Sequence, residues 1–215
     1  MKLFKSRLHL AIFSLITLPL LGCDGFPQHQ DIGSLRESVV KITYGGDTSG
    51  HATGFLIENN EAVCTVLTVA HGVPKNTEIL VTTDDNKLFP ASQIQRATDV
   101  DLATIVFDVE GSNNCPYPAL RLGNSTKVKI GDSVRMVGYP ERAGAQQIVL
   151  QFPSGDITNI QTPPLPDGYG ISYDMTTVGG MSGAPVFNSA GKVIAVHGLT
   201  DVELGGRQAA PKQSW

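Results

Sequence analysis

The sequence predicts an all-β protein, and two features of the chain support this fold class. Short apolar runs recur along the chain, and Gly, Asn, Asp or Pro separates nearly all of them. No segment carries a long apolar repeat with the 3.6-residue period of an amphipathic helix, so helices should be few and short. Many short strands with turn residues between them are typical of a β-sandwich or a β-barrel.

The predicted strands fall into two β units. They are the apolar runs at 38–42, 52–57, 62–70, 78–82, 101–107, 132–139, 146–152, 184–187 and 192–198. Between 113 and 132 the strand pattern lapses and Pro and Gly gather, which indicates a connection between the units. We therefore expect an N-terminal unit at 38–118 and a C-terminal unit at 119–215.

The first 22 residues have the pattern of a secretory signal peptide. Three basic residues precede a short apolar run that ends at Leu21, and "LLGC" at 20–23 resembles a bacterial lipobox. This resemblance implies that Cys23 becomes a lipid-modified first residue, followed by a polar spacer at 23–37. We expect a protein anchored in the bacterial cell envelope; the alternative is ordinary cleavage and a soluble secreted or periplasmic protein.

Composition and charge restrict the classes of molecule that the protein can bind. The chain is 41% hydrophobic and 17% charged, which suits a folded globular protein. Removing residues 1–22 takes away three of the 16 basic side chains and none of the 20 acidic ones, so the formal net charge falls from −4 to −7. An acidic surface argues against nucleic acid as a partner. Two further cysteines, Cys64 and Cys115, can pair in an exported protein or remain buried thiols, and the sequence leaves both open.

Three residues far apart in the chain could form a nucleophilic site. His71 ends an apolar strand in "TVLTVAHGV", Asp101 begins another in "DLATIVF", and Ser182 lies in the Gly-rich turn "VGGMSGAP". A serine hydroxyl becomes a useful nucleophile when a base takes its proton and an acid orients that base. Each residue alone has an ordinary role in a turn or loop, but their combination predicts a triad. Asp99 is a weaker candidate for the acid than Asp101.

The motifs "TVAH" (68–71), "DLA" (101–103) and "GMSGAP" (180–185) resemble those of chymotrypsin-like serine proteases. The resemblance spans about residues 38–200 and implies two packed antiparallel six-stranded β-barrels with the triad between them. It also implies an oxyanion hole formed by the backbone N–H groups of Gly180 and Ser182. Met181 stands where trypsin-type zymogens carry an activating aspartate, so activation by that ion pair is excluded.

A second histidine, His197, indicates which substrate side chain the protein prefers next to the cleaved bond. The stretch "TTVGGMSGAPVFN" (176–188) with His197 resembles bacterial glutamyl endopeptidases, in which a histidine and a threonine at these spacings bind an acidic side chain. The resemblance therefore implies that Thr177 and His197 line a carboxylate pocket, with Thr200 as a third donor, and that cleavage follows Glu. The other interpretation is that His197 is an ordinary buried strand residue.

The C-terminal end differs from the family pattern. The family carries a further strand and a terminal helix after the segment of His197, and the residues after Gly198 show neither β alternation nor an amphipathic helix. We expect a second barrel that is incomplete at this end, in a chain that is naturally short or truncated.

The sequence thus predicts a serine endopeptidase that acts on protein or peptide substrates. It needs no cofactor or metal, and no Cys/His spacing suggests a zinc site. The alternative is a non-catalytic, lipid-anchored binding module on a truncated protease scaffold. A purely structural lipoprotein would leave "GGMSGAP" unexplained.

Overall fold

The computed structural model describes residues 32–45, 50–57, 63–141, 147–199 and 212–214. Within these ranges the protein is nearly all β, with three short 3-10 helices at Ile32–Ser38, Ser125–Lys127 and Pro166–Gly168. The strands form two curled antiparallel sheets, as expected for a chymotrypsin-like fold. The predicted fold class is confirmed.

The first sheet contains seven strands, one more than expected, in the order β5-β4-β1-β2-β3-β7-β6. They are β1 Val39–Tyr44, β2 Gly50–Ile57, β3 Cys64–Thr68, β4 Ile79–Thr82, β5 Leu88–Pro90, β6 Gln93–Arg96 and β7 Ala103–Phe107. Strands β5 and β6 escaped prediction because they are short outer strands with mostly exposed side chains, so they lack an apolar run. The long inner strands β1 to β3 follow the predicted pattern.

The second sheet contains six strands in the order β12-β11-β8-β9-β10-β13. They are β8 Ser133–Met136, β9 Ser154–Ile160, β10 Ile171–Tyr173, β11 Pro185–Phe187, β12 Val193–Val196 and β13 Lys212–Ser214. The strand predicted at 146–152 is wrong. In its described part, Val149 and Phe152 are 57% and 43% exposed, and the pairing of Gln151 with Gly138 is an isolated bridge outside the strands.

The strand in that region is β9, which reads "SGDITNI" and has little apolar character. Only Ile157 is buried within it, while Ser133 Oγ donates a hydrogen bond to Asp156 Oδ1 across the β8–β9 pair. Polar pairing therefore replaces the apolar alternation that a sequence pattern can detect.

The expectation of no strand after Gly198 is also wrong. Strand β13 pairs antiparallel with β10, with Tyr173 opposite Lys212 and Ile171 opposite Ser214. This pairing uses backbone groups along an open edge and does not need an alternating sequence. Strand β13 therefore covers one edge of β10.

Three buried clusters form the core. One lies within the first sheet, one within the second, and the third combines side chains of both sheets, including Phe55, Val137 and Phe187. Leu35 belongs to the third cluster and is only 5% exposed. The 3-10 helix Ile32–Ser38, at the end of the segment predicted as a spacer, thus packs on the domain.

Several predicted features lie outside the described residues, namely the signal peptide at 1–22, Cys23 and Thr200. Among the described residues, no helix has the length and apolar character needed to cross a membrane.

A disulfide joins Cys64, on β3 of the first sheet, to Cys115. Of the two possibilities that the sequence left open for these cysteines, the structure therefore has the pair.

Candidate active site

His71 and Asp101 come together because their strands are antiparallel neighbours. Strand β3 ends three residues before His71, and β7 begins two residues after Asp101, with Thr68 paired to Ala103. The end of one strand therefore lies beside the start of the other. His71 Nδ1 is 2.5 Å from Asp101 Oδ2, and the backbone N–H of His71 donates to Asp101 Oδ1 over 2.8 Å.

The Asp101 carboxylate has a third donor, which sequence reasoning missed. The hydroxyl of Tyr169 donates to Asp101 Oδ2 over 2.5 Å. Burial by itself would raise the pKa of Asp101, but the hydrogen bonds from His71 and Tyr169 outweigh it and lower the pKa below its usual 3.8. Asp101 is therefore ionised at neutral pH and can hold a proton on His71 Nδ1. Asp99, the weaker sequence candidate, lies in an exposed bend.

Ser182 lies in a turn whose shape depends on glycine. Gly180 and Gly183 have φ values of +83° and +89°, which residues other than glycine rarely adopt. Space is short as well: a Cβ on Gly183 would lie 1.9 Å from the carbonyl oxygen of Thr53, and one on Gly180 would lie 2.6 Å from that of Tyr139. The Gly-rich motif is thus required by backbone conformation and by close packing.

The turn is attached to the first sheet through Thr53 on β2, another residue that sequence reasoning missed. The backbone N–H of Thr53 donates to Ser182 O over 2.8 Å, and Thr53 Oγ1 donates to Gly180 O over 2.8 Å. The same hydroxyl accepts a hydrogen bond from the backbone N–H of Tyr139. Thr53 is fully buried, and a polar residue within the buried run "ATGFLI" was the available signal.

Two backbone N–H groups of the turn differ from those of Met181 and Gly183 in having no acceptor within the described residues. Among the described residues, those of Gly180 and Ser182 donate no hydrogen bond within the protein. Both are the groups predicted for an oxyanion hole. Met181 between them is 2% exposed and belongs to the core of the second sheet, so its uncharged side chain fills space there.

The Ser182 hydroxyl points to a backbone carbonyl. Ser182 Oγ donates to Gly198 O over 2.9 Å, and within the described residues no hydrogen bond joins it to His71. Ser182 is 7% exposed, whereas the His71 side chain is 39% exposed. The His71–Asp101 pair is therefore assembled, while the Ser182 hydroxyl donates to a backbone carbonyl instead of to His71.

Two of the residues predicted for specificity, His197 and Thr177, are buried in the second sheet's half of the protein. His197 is fully buried, its Nδ1 is 2.5 Å from the hydroxyl of Tyr173, and its backbone carbonyl accepts from Gly183 N over 2.7 Å. Thr177 is 8% exposed, and its Oγ1 is buried without a hydrogen-bond partner among the described residues. In the part of the chain that the structure describes, no cluster of three His, Cys, Asp or Glu side chains could hold a metal ion.

Comparison with known proteins places this arrangement in a family. The family model described as "Trypsin-like peptidase domain" matches residues 52–196. A probable periplasmic serine endoprotease DegP-like from Halomonas elongata is 31% identical over 156 residues, covering 72% of this chain and 30% of that protein. A glutamyl endopeptidase from Staphylococcus aureus (strain MW2) is 29% identical over 114 residues, covering 51% of this chain and 32% of that protein.

Among solved structures, the serine endoprotease from Yersinia pestis superimposes with a TM-score of 0.63 at 17% identity, which shows a shared fold. The match covers 85% of this chain and 59% of that one. The matched regions span about a third of the length of the curated relatives. The family match and the identity to the DegP-like relative together show that this chain belongs to the trypsin-like peptidase family.

Proposed function

We propose that the protein is a serine endopeptidase with Ser182 as nucleophile, His71 as general base and Asp101 as the orienting acid. The observation that carries this proposal is a continuous set of contacts across the two sheets. Asp101 binds His71 and Tyr169, the ring of Tyr169 packs against Gly198, and Gly198 O accepts from Ser182 Oγ. These contacts support a single site for the proposed acid, base and nucleophile.

The proposed reaction begins with rotation of the Ser182 hydroxyl about χ1, away from Gly198 O and towards His71 Nε2. His71 takes the proton as Oγ attacks the substrate carbonyl, and Asp101 stabilises the resulting imidazolium. The N–H groups of Gly180 and Ser182 stabilise the oxyanion. His71 then gives the proton to the leaving amine, and water releases the acyl group by the reverse sequence.

Labelling with a fluorophosphonate tests this assignment. We expect the full chain to be labelled and Ser182→Ala to be unlabelled, because the reagent needs an activated hydroxyl. Ser189→Ala, at an exposed turn serine, is the matched control and should be labelled like the wild-type chain. Unlabelled wild-type protein with an intact fold would instead support a non-catalytic binding module, which the intact acid–base pair does not favour.

We further propose that the enzyme cleaves after Glu. Two features of the described residues support a carboxylate pocket. The Thr177 hydroxyl is buried and has no hydrogen-bond partner among the described residues. An unpaired buried hydroxyl costs folding free energy unless a ligand supplies its partner. When Tyr173 donates to Nδ1 of His197, the imidazole proton is on Nε2, where it can serve as a donor to a ligand. Thr200 completes the proposed pocket.

Peptides with Glu, Gln, Lys or Phe before the scissile bond test this selectivity. We expect kcat/KM to be highest for Glu, and the preference for Glu over Gln to shrink in His197→Ala. Thr177→Val keeps the shape of the side chain without its hydroxyl and should also reduce the preference. A preference for Lys or Phe would contradict the proposal, as would unchanged selectivity in His197→Ala.

For location, we propose export through the signal peptide at 1–22 and attachment to the membrane through lipidated Cys23. The periplasmic designation of the DegP-like relatives supports export. The test is incorporation of an alkyne fatty acid, followed by membrane fractionation. The full chain should be labelled and sediment with membranes, and Cys23→Ser should do neither. Soluble, unlabelled wild-type protein would contradict anchoring.

A further inference from the structure

The loop 165–169 of the second sheet contacts Asp101 in two ways. The loop is closed by hydrogen bonds from Leu165 N to Tyr169 O (2.8 Å) and from Gly168 N to Leu165 O (3.1 Å). At its tip, Asp167 has a φ of +62°, and its carbonyl accepts from the backbone N–H of Asp101 over 3.0 Å. The loop therefore holds the main chain of Asp101 as well as receiving its side chain.

The side-chain contact is made by the Tyr169 hydroxyl. Tyr169 is 4% exposed, the Asp101 side chain is 11% exposed, and the hydroxyl lies 2.5 Å from Asp101 Oδ2. The same carboxylate oxygen accepts from His71 Nδ1. A hydrogen bond to a charged group in a site shielded from water is worth more than one at the surface.

The position of the tyrosine ring depends on Gly198. A Cβ at Gly198 would lie 2.1 Å from Cε1 of Tyr169 and 2.7 Å from its hydroxyl oxygen. Any side chain at this position would therefore displace the ring from Asp101. Gly198 thus has two roles, since its carbonyl also accepts the Ser182 hydroxyl.

We propose that Tyr169 is a positioning residue for the acid–base pair: it holds the Asp101 carboxylate in the plane and orientation that His71 Nδ1 requires. This inference rests on the proposed function of the site. Asp101 Oδ1 is held by the backbone N–H of His71, and Oδ2 is shared by His71 Nδ1 and Tyr169. Without the hydroxyl, the carboxylate keeps its contacts to His71 but loses the donor that the loop 165–169 supplies.

The kinetic test compares Tyr169→Phe with the wild-type chain. We expect kcat to fall about tenfold and KM to change less than about twofold, because the hydroxyl contacts the orienting carboxylate and not the substrate. Tyr117→Phe is the matched control, since it removes another tyrosine hydroxyl near a carboxylate, 3.4 Å from Asp85, in the first sheet. Equal kinetics for the two variants would overturn the inference.

A second measurement does not depend on turnover. In full-length Ser182→Ala protein, the titration of the Asp101 carboxyl is followed by carbon NMR with and without Tyr169→Phe. We expect a higher apparent pKa without the hydroxyl, because one hydrogen bond to the ionised form is lost. An unchanged titration would overturn this inference, whereas absence of fluorophosphonate labelling in the wild-type chain would overturn the proposed function.

Discussion

The two halves of the site are held in different ways. On the first-sheet side, Asp101 has hydrogen bonds at both carboxylate oxygens, and His71 is oriented by it. On the second-sheet side, the backbone around Ser182 is tightly held, but the hydroxyl itself donates to Gly198 O. The His71–Asp101 pair is fixed by hydrogen bonds at both carboxylate oxygens, whereas the Ser182 turn is fixed mainly through its backbone and its hydroxyl makes one hydrogen bond to a carbonyl.

This difference has a physical reason. An ionised carboxylate that is largely buried must be satisfied by donors, so its geometry is closely determined. A serine hydroxyl has one torsion, and it exchanges one acceptor for another by a rotation between staggered rotamers. The turn therefore has to fix only the position of the Ser182 Cβ atom and of the N–H groups of Gly180 and Ser182. Changes to Asp101 should therefore affect chemistry most, and changes to Thr53 should affect the placement of the turn.

The largest effect is expected for Asp101→Asn. An amide cannot hold the proton on His71 Nδ1 in the same way, so kcat should fall by about 10⁴ with little change in KM. The measurement is steady-state hydrolysis of a peptide substrate, with Asp99→Asn as a neighbouring control that should behave like the wild-type chain. A comparable loss in Asp99→Asn would show that the acid has been wrongly assigned.

The variant Thr53→Val tests how the turn that carries Ser182 is held against the first sheet. It keeps the side-chain shape but leaves Gly180 O and the N–H of Tyr139 without their buried partner, so the turn should shift. We expect the rate of fluorophosphonate labelling to fall by about 10- to 100-fold, which corresponds to roughly 1.4–2.7 kcal/mol. Thr53→Ser retains the hydroxyl and should restore most of the rate. Wild-type labelling in Thr53→Val would contradict a role for this hydroxyl.

The double variant Cys64→Ala/Cys115→Ala separates stability from chemistry. The disulfide closes a loop with a sequence separation of 51 within the first sheet. Its loss should lower the free energy of unfolding by about 2–4 kcal/mol, measured by urea denaturation. Kinetic constants at 25 °C should stay close to those of the wild-type chain, because neither cysteine contacts the site. A large loss of kcat in folded protein would contradict this separation.

The smallest effect concerns acid stability. Because the pKa of Asp101 is lowered in the folded protein, its contribution to stability is present above pH 3.8 and is lost as the pH falls further, through the folded-state pKa. Asp101→Asn should therefore lose less stability than the wild-type chain between pH 4 and pH 2. Thermal unfolding across this range measures the difference, and parallel curves for the two proteins would contradict it.

The sequence by itself determined the all-β class, the inner strands of the first sheet and the candidate residues His71, Asp101 and Ser182. These follow from apolar runs and from turn residues that are local along the chain. It failed where strands are polar or short, as at β9 and β10, and where pairing uses only the backbone of an edge, as at β13.

Only the tertiary structure decided which groups complete the site. Tyr169 and Thr53 carry no motif, and each acts across the boundary between the sheets, Tyr169 on Asp101 and Thr53 on the Ser182 turn. Such contacts depend on the packing of chain segments that are 68 to 127 residues apart. Local patterns identify which residues can do chemistry, whereas long-range packing determines which hydrogen bonds hold them in place.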